Sequence, residues 1–193
     1  MPPTARASTP PTPNLNHPVL GFVKERFADR TLRAAEFRGD TTIIVTPKDL
    51  HEVLQFLRDD PRCAFDFLSD VVGIDYLQYP TQTLGRFAVV YLLCSYSRTD
   101  RIAVKVYLDP SIPTEGIEHD PALHLPSVCD IWPGAEWPER EVFDMFGIRF
   151  DNHPDLRRIL LWEEYPAHPL RKDYPLRGRG ERENFRVVSR TDA

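Results

Sequence analysis

Residues 85–108 read GRFAVVYLLCSYSRTDRIAVKVYL, and this stretch decides the fold class because it holds two strand-like runs separated by a short polar turn. The run from Gly85 to Tyr96 is largely apolar at consecutive positions, which predicts a central strand covered by helices on one side. The run from Arg101 to Leu108 alternates apolar residues with Lys105 and Tyr107, which predicts a strand with one solvated face.

The residues before this pair add three predicted strands and two predicted helices. The strands are expected at about 31–38, 41–46 and 66–79, and the helices begin at Pro18 and Pro47. Gly39-Asp40 suits the two-residue turn of a hairpin, and Thr46 suits the cap of the second helix. Together these elements predict an α+β domain with a mostly antiparallel sheet and helices on one face, ending near residue 112.

The regions on either side of this body are richer in proline and have weaker periodic apolar patterns. Residues 1–18 hold six of the 19 prolines and are predicted to be disordered. From Pro121 onward prolines recur, no sheet-forming run is present, and only short helices are predicted, at about 127–132 and 135–146. The predicted organisation is therefore a disordered start at 1–18, a body at 19–165, and an extended basic C-terminal arm at 166–193.

Composition argues against several functional classes. The nine glycines form neither dinucleotide-binding nor phosphate-cradling loops. Cys63, Cys94 and Cys129 lack cluster or zinc spacing, so we expect reduced, buried thiols and no metal cluster in this chain. The start of the chain lacks a signal-peptide core, and no apolar run approaches the roughly 20 residues of a membrane-spanning helix. Any membrane association is expected to go through a partner.

The segment 137–148, WPEREVFDMFGI, is the densest in candidate functional residues. Glu141 and Asp144 stand at i and i+3, so they would share a helix face and, with His153, bind a divalent metal or act as an acid and base pair. We favour a structural role, because Arg140 stands four residues from both Glu136 and Asp144, the spacing of helical ion pairs.

The same segment has the apolar pattern of a packed helix. Val142, Phe143 and Phe146 form an apolar stripe, and Gly147 suits the helix end. His153 and His168 each precede a proline and are interpreted as turn or interface histidines rather than metal ligands. His119 and His124 have no supporting group in the sequence and are assigned no role.

The residues from 171 to 190 carry seven lysines and arginines against three acids, although the whole chain has a net charge of -5. Nucleic-acid binding is one hypothesis for such a segment, and a solvated tail is another. The interspersed acids and the anchors Tyr174, Pro175 and Phe185 favour a protein partner and no nucleic acid.

Three motifs in sequence resemble the signature of the 30 kDa subunit family of respiratory complex I, the proton-pumping NADH:quinone oxidoreductase. They are EREVFDMFGI at 139–148, HPDLRRIL at 153–160 and HPLRKDYPL at 168–176, and GIDY at 73–76 is similar to the family's Gly-Val-Asp-Tyr. Asn152 and Ala167 replace the glycines expected before the two His-Pro pairs, so a remodelled turn is expected near Ala167. The residues expected to form the signature and subunit interface are Glu139, Arg140, Glu141, Asp144, His153, Pro154, Arg157, Arg158, His168, Arg171, Lys172, Asp173 and Tyr174.

The resemblance implies a non-catalytic subunit of the peripheral arm, on the cytoplasmic side of the bacterial inner membrane. It implies packing against other arm subunits in a hetero-oligomer. The main partner would be the larger, 49 kDa subunit, here the quinone-site subunit, which forms the quinone site with a smaller iron-sulfur subunit. FMN, iron-sulfur clusters, NADH and quinone would be used by the whole complex and none bound by this chain. The alternatives are the equivalent subunit of a related membrane-bound hydrogenase complex and a stand-alone metal-dependent enzyme.

Overall fold

The computed structural model describes residues 15–116 and 118–181. The elements, in chain order, are α1 (Pro18–Arg26), β1 (Arg33–Phe37), β2 (Asp40–Val45), α2 (Leu50–Asp59), β3 (Phe67–Asp75), β4 (Phe87–Ser95), β5 (Asp100–Leu108), β6 (His124–Pro126), α3 (Glu136–Phe146) and β7 (Arg149–Asp151). Single 3-10 turns lie at Pro121–Leu123 and Pro133–Ala135.

Five strands form a mixed sheet in the order β1-β2-β5-β4-β3. Only the β2 and β5 pairing is parallel within this sheet, and the other three pairings are antiparallel. The predicted α+β class with a mostly antiparallel sheet is therefore confirmed. β4 lies inside the sheet as expected, but β5 takes the middle position because the chain returns to pair it with β2.

The core lies on one face of this sheet. Phe87, Val89 and Tyr91 of β4 point into it with no exposed surface, and α2 covers it with a fully buried apolar stripe. That stripe consists of Leu50, Val53, Leu54 and Leu57, and burying each such side chain contributes about 1.5–3 kcal/mol. Gly73 pairs with Val89 and faces the Phe146 ring of α3, so α3 packs on this same face.

Two local predictions shift along the chain. The hairpin turn is formed by Arg38 and Gly39, with φ of 54° and 89°, one residue earlier than predicted. α2 begins at Leu50 rather than Pro47, because the Thr46 hydroxyl donates to the Asp49 carboxylate at 2.6 Å instead of capping the backbone. A turn therefore precedes the helix.

Two predictions for the later part of the chain are wrong. β6 and β7 form a parallel two-stranded sheet that was not expected, because strands of three residues are too short to show periodicity. Residues 127–132 form no helix; a turn at 129–131 leads into α3. The helix predicted at 135–146 is confirmed as α3.

The described part of the predicted arm, residues 166–181, is also not extended. It runs through consecutive turns and is held by buried His168 and Arg171, side chains that the prediction had placed on a partner's surface. Residues 1–14 and 182–193, which carry most of the predicted disorder and the end of the arm, lie outside the described residues.

Cys63 is buried, whereas Cys94 and Cys129 are only partly buried. Among the described helices, none has both the length and the apolar character needed to span a bilayer.

Candidate functional site

The candidate site is built on α3. Its buried apolar residues are Val142, Met145 and Phe146, so Met145 replaces the predicted Phe143 in the stripe. Gly147 ends the helix with a φ of 75°, as predicted, because glycine adopts the left-handed conformation without a Cβ penalty. Asp144 of the same helix is completely buried, so its side chain points into the protein rather than toward solvent.

Asp144 anchors the segment that follows α3. Its carboxylate accepts hydrogen bonds from Arg158 Nη1 at 2.6 Å and from the backbone N–H groups of Leu160 and Leu161 at 2.8 and 2.9 Å. Burial opposes ionisation of this side chain, but the hydrogen bonds from Leu161 and Arg158 lower the pKa of Asp144 below its usual value. The ionised carboxylate thus fixes the chain around 158–161.

Arg158 extends this anchor to the next turn. Its Nη2 donates to the carbonyl oxygens of Tyr165 at 2.8 Å and Ala167 at 3.1 Å. Arg140 does not pair with Glu136 and Asp144, so that prediction is wrong; it donates to the carbonyl oxygens of Arg157 and Arg158, both at 3.0 Å. The reason is that Asp144 already points inward to Arg158.

His168 and Arg171 close over the end of α3. His168 Nδ1 donates to the Asp144 carbonyl at 2.9 Å, and Arg171 Nε donates to the Phe146 carbonyl at 2.7 Å. Arg171 Nη1 also donates to the Thr114 carbonyl at 2.8 Å. These contacts lie directly on Gly147, where an added Cβ would stand 2.7 Å from His168.

The backbone conformation of the residue before His168 differs from that of the residue before His153. Asn152 adopts a φ of 63°, the left-handed region that asparagine tolerates, whereas Ala167 lies outside that region. Ala167 is 2% exposed and offers its carbonyl oxygen to Arg158. The chain at Ala167 is therefore held without a positive φ.

A second anchor joins the C-terminal segment to the sheet. Arg86 Nη2 lies 3.0 Å from Asp75 and 2.8 Å from Asp173, and the backbone N–H of Lys172 donates to Asp75 at 2.8 Å. The Thr114 hydroxyl also donates to Asp173. Arg86 and Thr114 were missed from the sequence, because they stand 87 and 59 positions from Asp173 and carry no local signal.

Glu139 holds a third buried cluster. Its carboxylate accepts from Ser127 Oγ at 2.7 Å and from the Val128 N–H at 2.8 Å, while Cys129 Sγ and His153 Nε2 lie 3.5 and 3.9 Å from Oε2. Potential ligand atoms of Cys129, Glu139 and His153 all lie within 4.8 Å of one another.

The hydrogen bonds of this cluster already use its ligand atoms. His153 Nε2 donates to the Glu136 carbonyl at 3.0 Å, and its Nδ1 accepts from the Asp155 N–H at 3.0 Å. Burial also raises the pKa of the Cys129 thiol to about 12, which disfavours the thiolate that binds metals. The cluster therefore fits a hydrogen-bonded joint better than a metal site.

The metal or acid-base trio suggested by the sequence does not assemble. Glu141 is exposed on α3, Asp144 is engaged by Arg158, and His153 faces Glu136. Of the other predicted interface residues, Pro154, Arg157 and Lys172 are exposed, and the Tyr174 hydroxyl lies 2.7 Å from the Tyr165 hydroxyl.

Two buried groups predict how stability depends on pH. Burial raises the pKa of Glu139 from 4.5 to about 7, so its contribution to the free energy of unfolding is full below pH 4.5 and is lost as the pH rises to about 7. Burial lowers the pKa of His168 from 6.5 to about 4, so its contribution is full above pH 6.5 and is lost as the pH falls to about 4. The two effects oppose each other between pH 4.5 and 6.5.

Glu139→Gln removes the contribution of Glu139 to the pH dependence of stability and leaves that of His168. Wild type should lose about 3 kcal/mol of unfolding free energy relative to the variant between pH 4.5 and 7, because unfolded wild type releases the Glu139 proton in this range while the folded state keeps it, and glutamine has no such proton. Urea unfolding at several pH values measures the difference, with the exposed Glu141→Gln as control. A difference between variant and wild type that is constant across pH would contradict the assignment.

An apolar patch remains at the surface beside these anchors. Trp137 and Leu160 are 67% and 62% exposed, and they line one surface depression with Pro133, Pro138 and Ile159. Glu136 and Glu141 stand at the same depression. The patch, defined by Trp137, Leu160, Pro133, Pro138 and Ile159, therefore combines an apolar centre with acidic neighbours.

Comparison with known proteins gives a consistent family. The model of the family described as respiratory-chain NADH dehydrogenase, 30 kDa subunit, matches residues 43–180. An NADH-quinone oxidoreductase subunit of Roseiflexus sp. strain RS-1 is 45% identical over 161 residues, 83% of this chain and 84% of the relative. The subunit of the same name from Citrifermentans bemidjiense is 45% identical over 164 residues, 84% of this chain and 91% of the relative.

Two solved structures are similar in fold. A trypsin-resistant fragment, residues 1–134, of Nqo5 is 34% identical with a TM-score of 0.58, covering 71% of this chain and 98% of the fragment. A chain of the membrane-bound sulfane sulfur reductase, an archaeal respiratory membrane complex, has a TM-score of 0.67 over 91% of this chain and 96% of its own. The latter is 18% identical and shows likeness of fold alone.

Proposed function

This chain belongs to the family of the respiratory-chain NADH dehydrogenase 30 kDa subunit, and we propose that it is a non-catalytic structural subunit holding the quinone-site subunit in the peripheral arm of the complex. The observation that carries this proposal is the exposed patch around Trp137, which lies on and beside α3. The signature residues Glu139, Arg140 and Asp144 of this helix bond to other groups of the same chain. Scaffolding, rather than chemistry, is what this arrangement supports.

The signature charges support a positioning role. Glu139 and Asp144 are completely buried, Arg171 is 5% exposed, and each bonds to groups of its own chain. Removing one partner of the Asp144–Arg158 pair would leave an uncompensated buried charge. Together with the hydrogen bonds of Glu139 and Arg171, this pair holds α3 and the C-terminal segment in one fixed geometry. A rigid base is what a contact surface for a neighbouring subunit requires.

The patch has the composition of a protein contact. Tryptophan is enriched among residues that dominate binding energy, and a partner would bury the apolar centre formed with Leu160. The acidic neighbours Glu136 and Glu141 favour basic residues on the opposing surface. The quinone-site subunit is the partner that we assign to it.

The electron carriers are assigned to other subunits. We propose that FMN, the iron-sulfur clusters and the NADH and quinone sites lie elsewhere in the complex, on the cytoplasmic side of the bacterial inner membrane. This chain would affect electron transfer only through the position of its neighbour, because transfer and quinone entry depend on geometry.

Trp137→Ala should lower the affinity for the quinone-site subunit by roughly 30-fold, the effect of removing a side chain worth about 2 kcal/mol at an interface. Tyr96→Ala is the matched control, because Tyr96 is 68% exposed and lies at the end of β4. Each tagged chain is purified from gently solubilised membranes, and the quinone-site subunit and inhibitor-sensitive NADH:quinone activity that accompany it are measured.

The control separates a lost contact from a lost fold. Thermal unfolding of both variants should match wild type, because neither side chain is part of the core. Equal recovery of the quinone-site subunit with both variants would overturn the assignment of the patch. Recovery of hydrogenase subunits with wild type would overturn the proposed complex.

A further inference from the structure

Two histidines outside the anchors converge at the edge of the small sheet. His119 lies in the loop between β5 and β6, and His124 is the first residue of β6. Their Nε2 atoms share a direct hydrogen bond, and their ring centroids are 4.6 Å apart with an interplanar angle of 66°. Neither was assigned a role from the sequence, since two residues five positions apart in a loop have no fixed spatial relation.

Asp151 of β7 gives this pair the arrangement of a ligand set. Its carboxylate lies 2.7 Å from His124 Nδ1, which therefore carries the proton and leaves the Nε2 lone pair directed at His119. A carboxylate behind a histidine fixes the tautomer and orientation that metal ligation needs. The parallel register of β6 and β7 pairs His124 with Arg149, so Asp151, two residues further along β7, lies diagonally across from His124 on the same face.

We propose that His119 and His124 bind a divalent transition-metal ion of the kind that prefers imidazole, such as Zn²⁺ or Ni²⁺, with Asp151 as the orienting residue. Each histidine supplies Nε2, so the ion replaces the hydrogen bond between the two rings, and the exposed His119 carries its proton on Nδ1 in the bound form. Water completes the coordination. His119 is exposed and His124 partly exposed, which gives the ion direct access.

The ion would brace the loop that holds the C-terminal segment. That loop supplies the carbonyl oxygens of Thr114 and Gly116 to Arg171 and of Glu115 to Arg179. A metal bridge between His119 and His124 would hold the loop onto β6, so metal binding stabilises the folded chain and with it these contacts of Arg171 and Arg179.

Calorimetric titration of the untagged full chain with ZnCl₂ and NiCl₂ tests the site. One equivalent should bind to wild type, and His119→Ala and His124→Ala should each abolish that binding. Asp151→Asn should weaken it by about 10–100-fold, the usual effect of losing an orienting partner. His51→Ala is the matched control, because His51 also pairs with an aspartate, Asp130 at 2.9 Å, and its removal should change nothing.

Thermal unfolding gives a second readout. Zn²⁺ should raise the Tm of wild type and His51→Ala but not of His119→Ala, and metal-free Tm values show that each variant folds. His119 is exposed, so His119→Gln serves if the alanine variant is unstable. Absence of binding by wild type would overturn the proposal. Equal binding by wild type and His119→Ala would also overturn it, and would direct attention to Cys129, Glu139 and His153.

Discussion

Asp144→Ala is expected to lower the free energy of unfolding by roughly 3–5 kcal/mol, the usual effect of removing one partner from a buried ion pair. The Asp144 side chain is fully buried, that of Arg158 is 9% exposed, and their atoms are 2.6 Å apart. The substitution also leaves the N–H groups of Ile159, Leu160 and Leu161 without their common acceptor. For a chain of this size the loss corresponds to a fall in Tm of roughly 6–20 °C.

Urea and thermal unfolding measure this loss, and two further variants interpret it. Glu141→Ala, on the exposed side of the same helix, should change stability by about 0.5 kcal/mol or less. Asp144→Ala combined with Arg158→Met should recover part of the loss, because no buried charge is then left alone. A loss below about 1 kcal/mol for Asp144→Ala would show that the anchor is not energetically important.

Gly147→Ala should cost roughly 2–5 kcal/mol, from two separate effects. At a φ of 75° a non-glycine residue is strained by about 1–2 kcal/mol. An added Cβ would also contact the Arg171 guanidinium and stand 2.7 Å from the His168 ring, and overpacking of this kind costs about 1–3 kcal/mol. The buried carbonyl contacts of Arg171 would have to move.

Gly39→Ala separates the two effects. Gly39 has a φ of 89° but nothing within 4 Å of an added Cβ, so it should show the conformational cost alone. Unfolding of both variants by urea gives the comparison. If Gly39→Ala and Gly147→Ala lose the same stability, the packing of His168 and Arg171 on Gly147 contributes nothing. Proteolysis of Gly147→Ala should in addition cut the segment 166–181 faster than in wild type, because its anchors are displaced.

The sequence by itself determined the elements with strong local signals. The apolar runs around β4 and β5, the glycine at the end of α3 and the α+β class are readable because periodicity and turn chemistry depend on neighbours within a few positions. The ordered motifs from 139 to 176 predicted the family in the same way, as linear patterns. Boundaries shifted by one to three residues where a side chain such as Thr46 took a different partner.

Only the tertiary structure decided which residues meet. Asp144 with Arg158, Arg86 with Asp173, and His119 with His124 and Asp151 are contacts between elements, and the spacing within one element says nothing about them. The charged residues of α3 were predicted to form ion pairs along its surface, because helical spacing is the same whether a face is solvated or buried. An ionised group inside the protein must be paired or hydrogen-bonded, so burial decides which of the possible partners it contacts. Buried Asp144 therefore pairs with Arg158 rather than with Arg140.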